Sequence, residues 1–231
     1  MSARGLFVTG TDTGVGKTLI ACGLVRALTA RGFTVAVLKP VASGSLRTSE
    51  GLRNEDALAL AACANAGQTY DEVNRYCFEP PVSPHIAADE AGISIDIGTI
   101  ADDFRRLAAR TDWVVAEGAG GWYAPIGPAR TMADLAGALP ASVLLVVGLR
   151  LGCLNHAALT GEAIRARGLH LAGWLASAVD PEFARAPENL TALTRALGEP
   201  PLQVVPHQLS AAPPLVLSEA IARLAASSLS I

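Results

Sequence analysis

Near its start the chain reads Thr9-Gly10-Thr11-Asp12-Thr13-Gly14-Val15-Gly16-Lys17-Thr18, set between an apolar strand pattern and a helical one. Few short segments restrict a fold so strongly. The run Gly5-Leu6-Phe7-Val8-Thr9 reads as a buried strand, and Lys17 to Arg31 as a helix with Gly32 at its C-terminal cap. Gly10, Gly14 and Gly16 carry no β-carbon, so backbone N–H groups can close around an anion while the helix adds its positive end. Lys17 is placed to reach β- and γ-phosphates, and the Thr18 hydroxyl to ligate Mg2+. Asp12, Thr13, Gly14, Val15, Gly16, Lys17 and Thr18 are thus the expected nucleotide contacts. The plainer reading is a glycine-rich turn that caps a helix; the Gly-Lys-Thr order in a strand–turn–helix setting weighs against it.

The loop departs from the strict phosphate-loop pattern, which places a glycine five residues before Gly16. That position is Thr11, and the glycine sits one residue earlier, at Gly10. The departure points to a subclass of phosphate-loop proteins.

With 231 residues, 51% of them hydrophobic, the chain can bury a full core within one domain spanning 1–231. Lys and Arg total 18 against 21 Asp and Glu, and no stretch clusters basic residues, so a nucleic-acid partner is not expected. The longest apolar run, Ala141 to Leu149, is far short of the ~18–20 residues that span a bilayer. No charged segment followed by a long apolar one opens the chain, so the expectation is a soluble, cytoplasmic protein without membrane partners. Cys22, Cys63, Cys77 and Cys153 are scattered, which fits a reduced compartment. Cys153 and His156 have a metal-like separation, yet no second pair accompanies them.

Strand and helix patterns alternate throughout, implying an α/β fold with a mostly parallel sheet and helices on both faces. Further strands are expected at Thr34–Leu38, Trp113–Ala116, Val143–Val147, Leu171–Leu175 and Leu202–Val205. Helices are expected from Asn54 to Ala66, Ser94 to Arg110, Asn155 to Arg167 and Leu215 to Ala226, with irregular connections at Pro80–Pro84 and Glu182–Pro187. In such sheets ligands lie beyond the carboxyl ends of the strands, so Thr11, Lys39, Glu117 and Gly148 should converge on one rim.

Two of those residues carry chemistry. Glu117 ends an apolar strand and precedes Gly118-Ala119-Gly120-Gly121, where an acid can hold Mg2+ or its waters and the backbone can approach a γ-phosphate. A surface glutamate before a flexible turn is the alternative. Lys39, in Lys39-Pro40-Val41-Ala42-Ser43-Gly44, is a candidate fixed ammonium facing a cleft, although strand-end lysines are usually solvated. Asp56 is a second candidate metal carboxylate, or simply an acid at a helix N-terminus. His85, in Ser83-Pro84-His85, is more readily a packing residue than a catalyst. Leu151-Gly152-Cys153-Leu154-Asn155-His156 opens a helix whose N–H groups can hold a carboxylate, and Asn155 can serve as its N-cap.

Taken together, these segments resemble the dethiobiotin synthetase family of the P-loop NTPase superfamily. The resemblance rests on Gly10 to Thr18, Lys39 to Gly44, Gly51-Leu52-Arg53-Asn54-x-Asp56-Ala57-Leu58, Ser83 to His85, Glu117 to Gly121, Leu151 to His156 and Leu171-Ala172-Gly173-Trp174. It implies a homodimer that joins CO2 to 7,8-diaminopelargonate using ATP and Mg2+, by way of a carbamate, a carbamic–phosphoric anhydride and closure of a cyclic urea. It further implies that Lys17 and Lys39 flank the transferring phosphoryl group and the carbamate, with Thr11 near the substrate or phosphate. Thr18, Asp56 and Glu117 would carry Mg2+, and Gly118, Ala119 and Gly120 would line the nucleotide. Ser43 would contact the diamine, and Gly152, Cys153, Leu154 and Asn155 the substrate carboxylate across the dimer interface.

The match thins toward the C-terminus. Where better-known members have Asn-Asp as an adenine-reading pair, this chain has Ser177-Ala178, which cannot reproduce an amide's paired donor and acceptor. Base contacts then fall to Ser177 and to backbone near Val205-Pro206-His207, and discrimination among nucleotides should be weak. Asn189 stands where some members place a tyrosine over the substrate tail. Two rivals share the loop. A partition or septum-positioning ATPase usually has a second lysine near the loop's start, and none precedes Lys17 within it; a small-molecule kinase would release a phosphorylated product.

Overall fold

A computed structural model describes residues 4–207 and 216–226. Six strands form one parallel sheet: β1 (Arg4–Gly10), β2 (Val35–Leu38), β3 (Trp113–Glu117), β4 (Ser142–Gly148), β5 (Leu171–Ser177) and β6 (Gln203–Val205). Their order is β6-β5-β4-β1-β3-β2. Strand β1 lies centrally, with Leu6 to Gly10 aligned on Ser142 to Val146 and Arg4 to Val8 on Trp113 to Glu117.

The apolar strand runs are buried on both sides, as a covered parallel sheet requires. Leu6, Val8, Val37, Val115, Leu144 and Val146 face one cluster. It is closed by helices α1 (Lys17–Thr29), α2 (Glu55–Ala61) and α9 (Ser218–Ala226). Phe7, Ala36, Leu38, Val114, Ala116 and Val143 face the other side with α4 (Pro84–Glu90), α5 (Ile97–Ala108) and α6 (Met132–Ala138). On that side Leu145, Val147 and Trp174 pack with α7 (Cys153–Ala166) and α8 (Ala186–Leu197). Each Val, Leu or Phe among them, fully buried, contributes about 1.5–3 kcal/mol. The expected α/β architecture with helices on both faces is what forms.

Several boundaries differ from expectation, each for a local reason. The helix expected to run from Asn54 to Ala66 stops at Ala61, although Asn54 does cap it by accepting from Ala57 N. Beyond it, Asn65 accepts from Val35 N and donates to Phe33 O, and Gln68 does the same for Val37 N and O. These amides satisfy the exposed edge of β2, a use of the chain incompatible with more helix. The helix expected from Ser94 begins at Ile97, where Asp96 accepts from Gly98 N at 2.8 Å. Helix α7 starts at Cys153, with Gly152 as N-cap at φ 95°, so the capping role assigned to Asn155 is incorrect.

Four helices were unforeseen: α3 (Tyr70–Val73), α4, α6 and α8. The connections at Pro80–Pro84 and Glu182–Pro187 are shorter than expected, because α4 opens on Pro84 and α8 has Pro187 in its first turn, where a missing N–H costs nothing. Helix α6 follows a capping box between Thr131 and Asp134. Of the final expected helix, Ser218 to Ala226 is helical and Leu215 lies outside the described residues. Among the described residues no helix is long and apolar enough to cross a membrane.

Candidate active site

The phosphate loop bends between β1 and α1 as its glycines require. Gly16, the N-cap of α1, has φ 88°, and a β-carbon there would meet Ser177 Oγ at 2.8 Å. Gly10, whose placement set the loop apart in sequence, has a steric explanation: Val15 folds back so closely that a β-carbon on Gly10 would lie 2.6 Å from Val15 Cγ2. Lys17 Nζ donates to the Asp12 carbonyl at 2.9 Å, and the Asp12 carboxylate pairs with Arg150 beyond the end of β4. Burial, and then the charge of Lys39, lower the Lys17 pKa to about 8.

Opposite the loop, Lys39 and Glu117 leave the ends of neighbouring strands β2 and β3. Lys39 Nζ lies 2.6 Å from Glu117 Oε1 and 2.8 Å from Asp56 Oδ2, Asp56 being on the first turn of α2. Thr18 Oγ1 donates to the same Glu117 Oε1 at 2.8 Å. Burial works to lower the Lys39 pKa, but the charges of Glu117 and Asp56 and their hydrogen bonds outweigh it and hold the pKa above its ordinary value. Burial likewise opposes ionisation of Asp56, and Lys39 overcomes it, holding that carboxyl below its usual range. Lys39 is therefore a fixed cation.

These groups line one cavity of about 1000 Å³ with Thr13, Gly14, Gly16, Lys17, Ser43, Ala119, Gly120 and Gly121. Glu117 is wholly buried, yet its Oε2 has no hydrogen-bond partner. An ionised oxygen in that state calls for a cation or a donor. Among the described residues no three His, Cys, Asp or Glu converge to cage a metal. Thr18, Asp56 and Glu117 offer instead a sparse oxygen set, the kind that suits Mg2+ completed by water and phosphate.

The other expected contacts are dispersed. Thr11 donates its backbone N–H to Val146 O and does not line the cavity. Gly152, Cys153, Leu154 and Asn155 also lie outside it, with the Cys153 side chain in the core and Leu151 94% exposed. Ser177 is buried against Gly16, and Pro206 is exposed beyond β6. The Val205 carbonyl accepts from Ala178 N. Asn189 Nδ2 donates to Arg185 O within its own helix turn. His85 is half-buried with Nδ1 unpartnered and does not line the cavity.

A supporting network escaped the sequence reading. Tyr70 OH accepts from Asn54 N at 2.7 Å and donates to Asn74 Oδ1 at 3.0 Å. Asn74 Nδ2 in turn donates to Lys39 O at 2.6 Å. One phenol thereby ties the cap of the helix bearing Asp56 to the backbone of Lys39. No motif announces it; the only sequence signal was the capping box that opens the short helix α3 (Tyr70–Val73).

Comparison with known proteins places this geometry. A family model described as an AAA domain matches residues 4–214. The chain is 48% identical over 211 residues to the ATP-dependent dethiobiotin synthetase BioD of Pseudomonas paraeruginosa, covering 91% of this chain and 92% of that protein. It is 48% identical to dethiobiotin synthetase BioD 1 of Escherichia coli O157:H7, covering 87% and 88%. Among solved structures, the Aquifex aeolicus MinC:MinD complex matches with TM-score 0.62 at 18% identity, covering 97% of this chain and 95% of that one. A ParA family ATPase from Chlorobium tepidum matches with TM-score 0.60 at 12% identity, covering 96% and 98%. At such identities these two speak for the fold alone.

Proposed function

The chain belongs to the ATP-dependent dethiobiotin synthetase family, and on that footing we propose that it joins CO2 to 7,8-diaminopelargonate and closes the ring of dethiobiotin, converting ATP to ADP and phosphate. The observation that carries the reading at the site is the buried Lys39–Glu117 pair facing the phosphate loop across one cavity.

The chemistry asks mainly for positioning and for compensation of negative charge. One amine of the substrate adds to CO2 and loses a proton, giving a carbamate. Lys39, held as a cation, is suited to that anion, and Ser43 on the cavity wall to its amine end. The carbamate oxygen attacks the γ-phosphorus of ATP, ADP leaves, and the second amine then displaces phosphate from the anhydride carbon. Backbone N–H groups of the loop and Lys17 orient the phosphates, and Gly118 to Gly120 let the substrate approach closely. Thr18, Asp56 and Glu117 are the residues that would hold Mg2+, which when bound supplies further neutralisation of the phosphate charge. Glu117 Oε2, buried and unpartnered, supports that role.

The segment Gly152 to Asn155, turned away from its own cavity, suits a homodimer in which it binds the substrate carboxylate of the partner subunit. Four free cysteines suit a cytoplasmic setting. The test is phosphate release from ATP that requires both the diamine and bicarbonate, with label from bicarbonate entering an acid-stable product and chelation of Mg2+ stopping turnover. Turnover without the diamine would indicate a nucleotide-switch ATPase instead, and a stable phosphorylated diamine a kinase.

A further inference from the structure

Asp12 sits at the entrance of the phosphate loop with its carbonyl and both carboxylate oxygens engaged. The carbonyl holds Lys17 Nζ at 2.9 Å, Oδ1 accepts from Thr13 N at 2.7 Å, and Oδ2 pairs with Arg150 Nη2. Arg150 comes from another part of the chain, two residues past the end of β4. Its own carbonyl accepts from Cys153 N at 3.0 Å, closing the turn that opens α7. Neither Arg150 nor Asp12 lines the nucleotide cavity.

We propose that Arg150 is a positioning residue for ATP: through the Asp12 carboxylate it fixes the phosphate loop against the end of β4 and cancels a negative charge on a loop that must receive a polyanion. The loop needs such a hold. Between Asp12 and Lys17 lie Gly14 at φ 72° and Gly16 at φ 88°, and nothing lies within 4 Å of where a Gly14 β-carbon would stand. Glycines there let the backbone approach an anion, but they also remove side chains that would pack the loop in place. The restraint comes from β4. Thr11 N donates to Val146 O at 3.0 Å, and Val15 rests on Gly148, where a β-carbon would lie 2.9 Å from Val15 Cγ1. Arg150 supplies a third tie, on the stretch between those two.

Charge points the same way as geometry. The Asp12 carbonyl touches the ammonium that serves the phosphates, so its carboxylate stands close to them as well. An unpaired carboxylate there opposes a triphosphate, and a guanidinium, charged at every working pH, removes the opposition. Both side chains are partly open to solvent, and an ion pair so placed adds little to the stability of a fold. Its effect is therefore expected on nucleotide binding and not on folding. The inference rests on ATP being the guest of the loop, not on the ring closure that follows.

Calorimetric titration of a non-hydrolysable ATP analogue with Mg2+ into the full-length protein measures the hold directly, and steady-state kinetics follow turnover with diamine and bicarbonate. Arg150→Gln should weaken binding of the analogue, and raise KM for ATP, about 10-fold, the loss usual when a supporting partner is removed. Its kcat should hardly change, as for a residue that serves ground-state and transition-state binding alike. Its melting temperature and its KM for the diamine should not move. Arg150→Lys, which keeps the charge and loses the planar fork, should recover part of the affinity. In Asp12→Asn/Arg150→Gln the two effects should not add, because both act through one bond.

Unchanged affinity in Arg150→Gln, additive effects in the double variant, or a loss that tracks a lowered melting temperature and is not recovered by Arg150→Lys would overturn the proposal. So would a rise confined to the KM for the diamine, which would assign Arg150 to the substrate carboxylate instead. A parent protein without diamine-dependent turnover counts against the ring closure, while the titration decides the role of Arg150 either way.

Discussion

Lys39 Nζ stands 2.6 Å from Glu117 Oε1, and almost nothing of either side chain reaches solvent. The pair is worth having only while both partners remain, since a buried charge left alone costs about 3–5 kcal/mol. Replacing Lys39 with Gln should lower turnover by at least ~10²-fold, the loss expected when a charge-stabilising group is removed. It should also lower the melting temperature. The double variant Lys39→Gln/Glu117→Gln should regain much of that stability and none of the activity. Thermal melts and steady-state rates on the four proteins check both halves, and full activity in the single variant would end the assignment of Lys39 to catalysis.

Lys17 has its pKa lowered to about 8, below the unfolded value, so the unfolded chain binds more protons between about pH 8 and 10.5. This group therefore makes the nucleotide-free protein gain stability as pH rises through that window and lose it as pH falls toward 8. Phosphates should raise the pKa again. Calorimetry at pH 8 in buffers of different ionisation enthalpy should then show uptake of about half a proton per ATP bound. Strictly proton-neutral binding would contradict the picture.

At Gly16 two obstacles coincide, a left-handed backbone and Ser177 Oγ 2.8 Å from any added β-carbon. Gly16→Ala should cost about 1–3 kcal/mol of stability and weaken ATP binding about 10-fold or more. Adding Ser177→Gly should recover the steric part and leave the backbone part. Melts and nucleotide titrations of the two variants separate them.

Tyr70→Phe keeps the ring and removes the hydroxyl that joins Asn54 to Asn74. Because Asn74 holds Lys39 by its carbonyl and Asn54 caps the helix of Asp56, kcat should fall about 10-fold and the Mg2+ concentration for half-maximal rate should rise. A variant that loses stability while its kcat and Mg2+ dependence stay unchanged would make Tyr70 a packing residue only.

Ser177-Ala178 leaves no side-chain amide for the base. Discrimination between ATP and either CTP or GTP should stay below about 10²-fold, since the 10⁴–10⁵-fold kind comes from sites built to pair with a substrate's polar groups. Comparison of kcat/KM for the three nucleotides decides it.

How much of this was legible in the sequence follows from range. Lys39 and Glu117 could be assigned to one rim because parallel strands all present their carboxyl ends to the same side. The loop glycines could be read because their geometry is local. Tyr70 and Asn74 could not, since their service to Lys39 depends on a chain path that no periodicity records. Asn65 falls inside the helix expected through Ala66, and Gln68 carries no expectation, because the edge of β2 they satisfy is visible only once the sheet is assembled. Pro84 and Pro187 were read as breaks, although proline in a first helical turn marks a start as readily.

The bond from Lys17 Nζ to the Asp12 carbonyl has a thermodynamic corollary. The loop holds a placeholder for its own guest, so a phosphate that takes the ammonium displaces a partner instead of meeting a bare charge. An exchanged hydrogen bond changes the free energy far less than a newly made one. Ground-state affinity for ATP then rests chiefly on the loop's backbone amides and the dipole of α1. What Lys17 adds is greatest where negative charge concentrates beyond that of the resting nucleotide. The carbonyl of Asp12 thus acts as a toll on binding that transfer does not have to meet again.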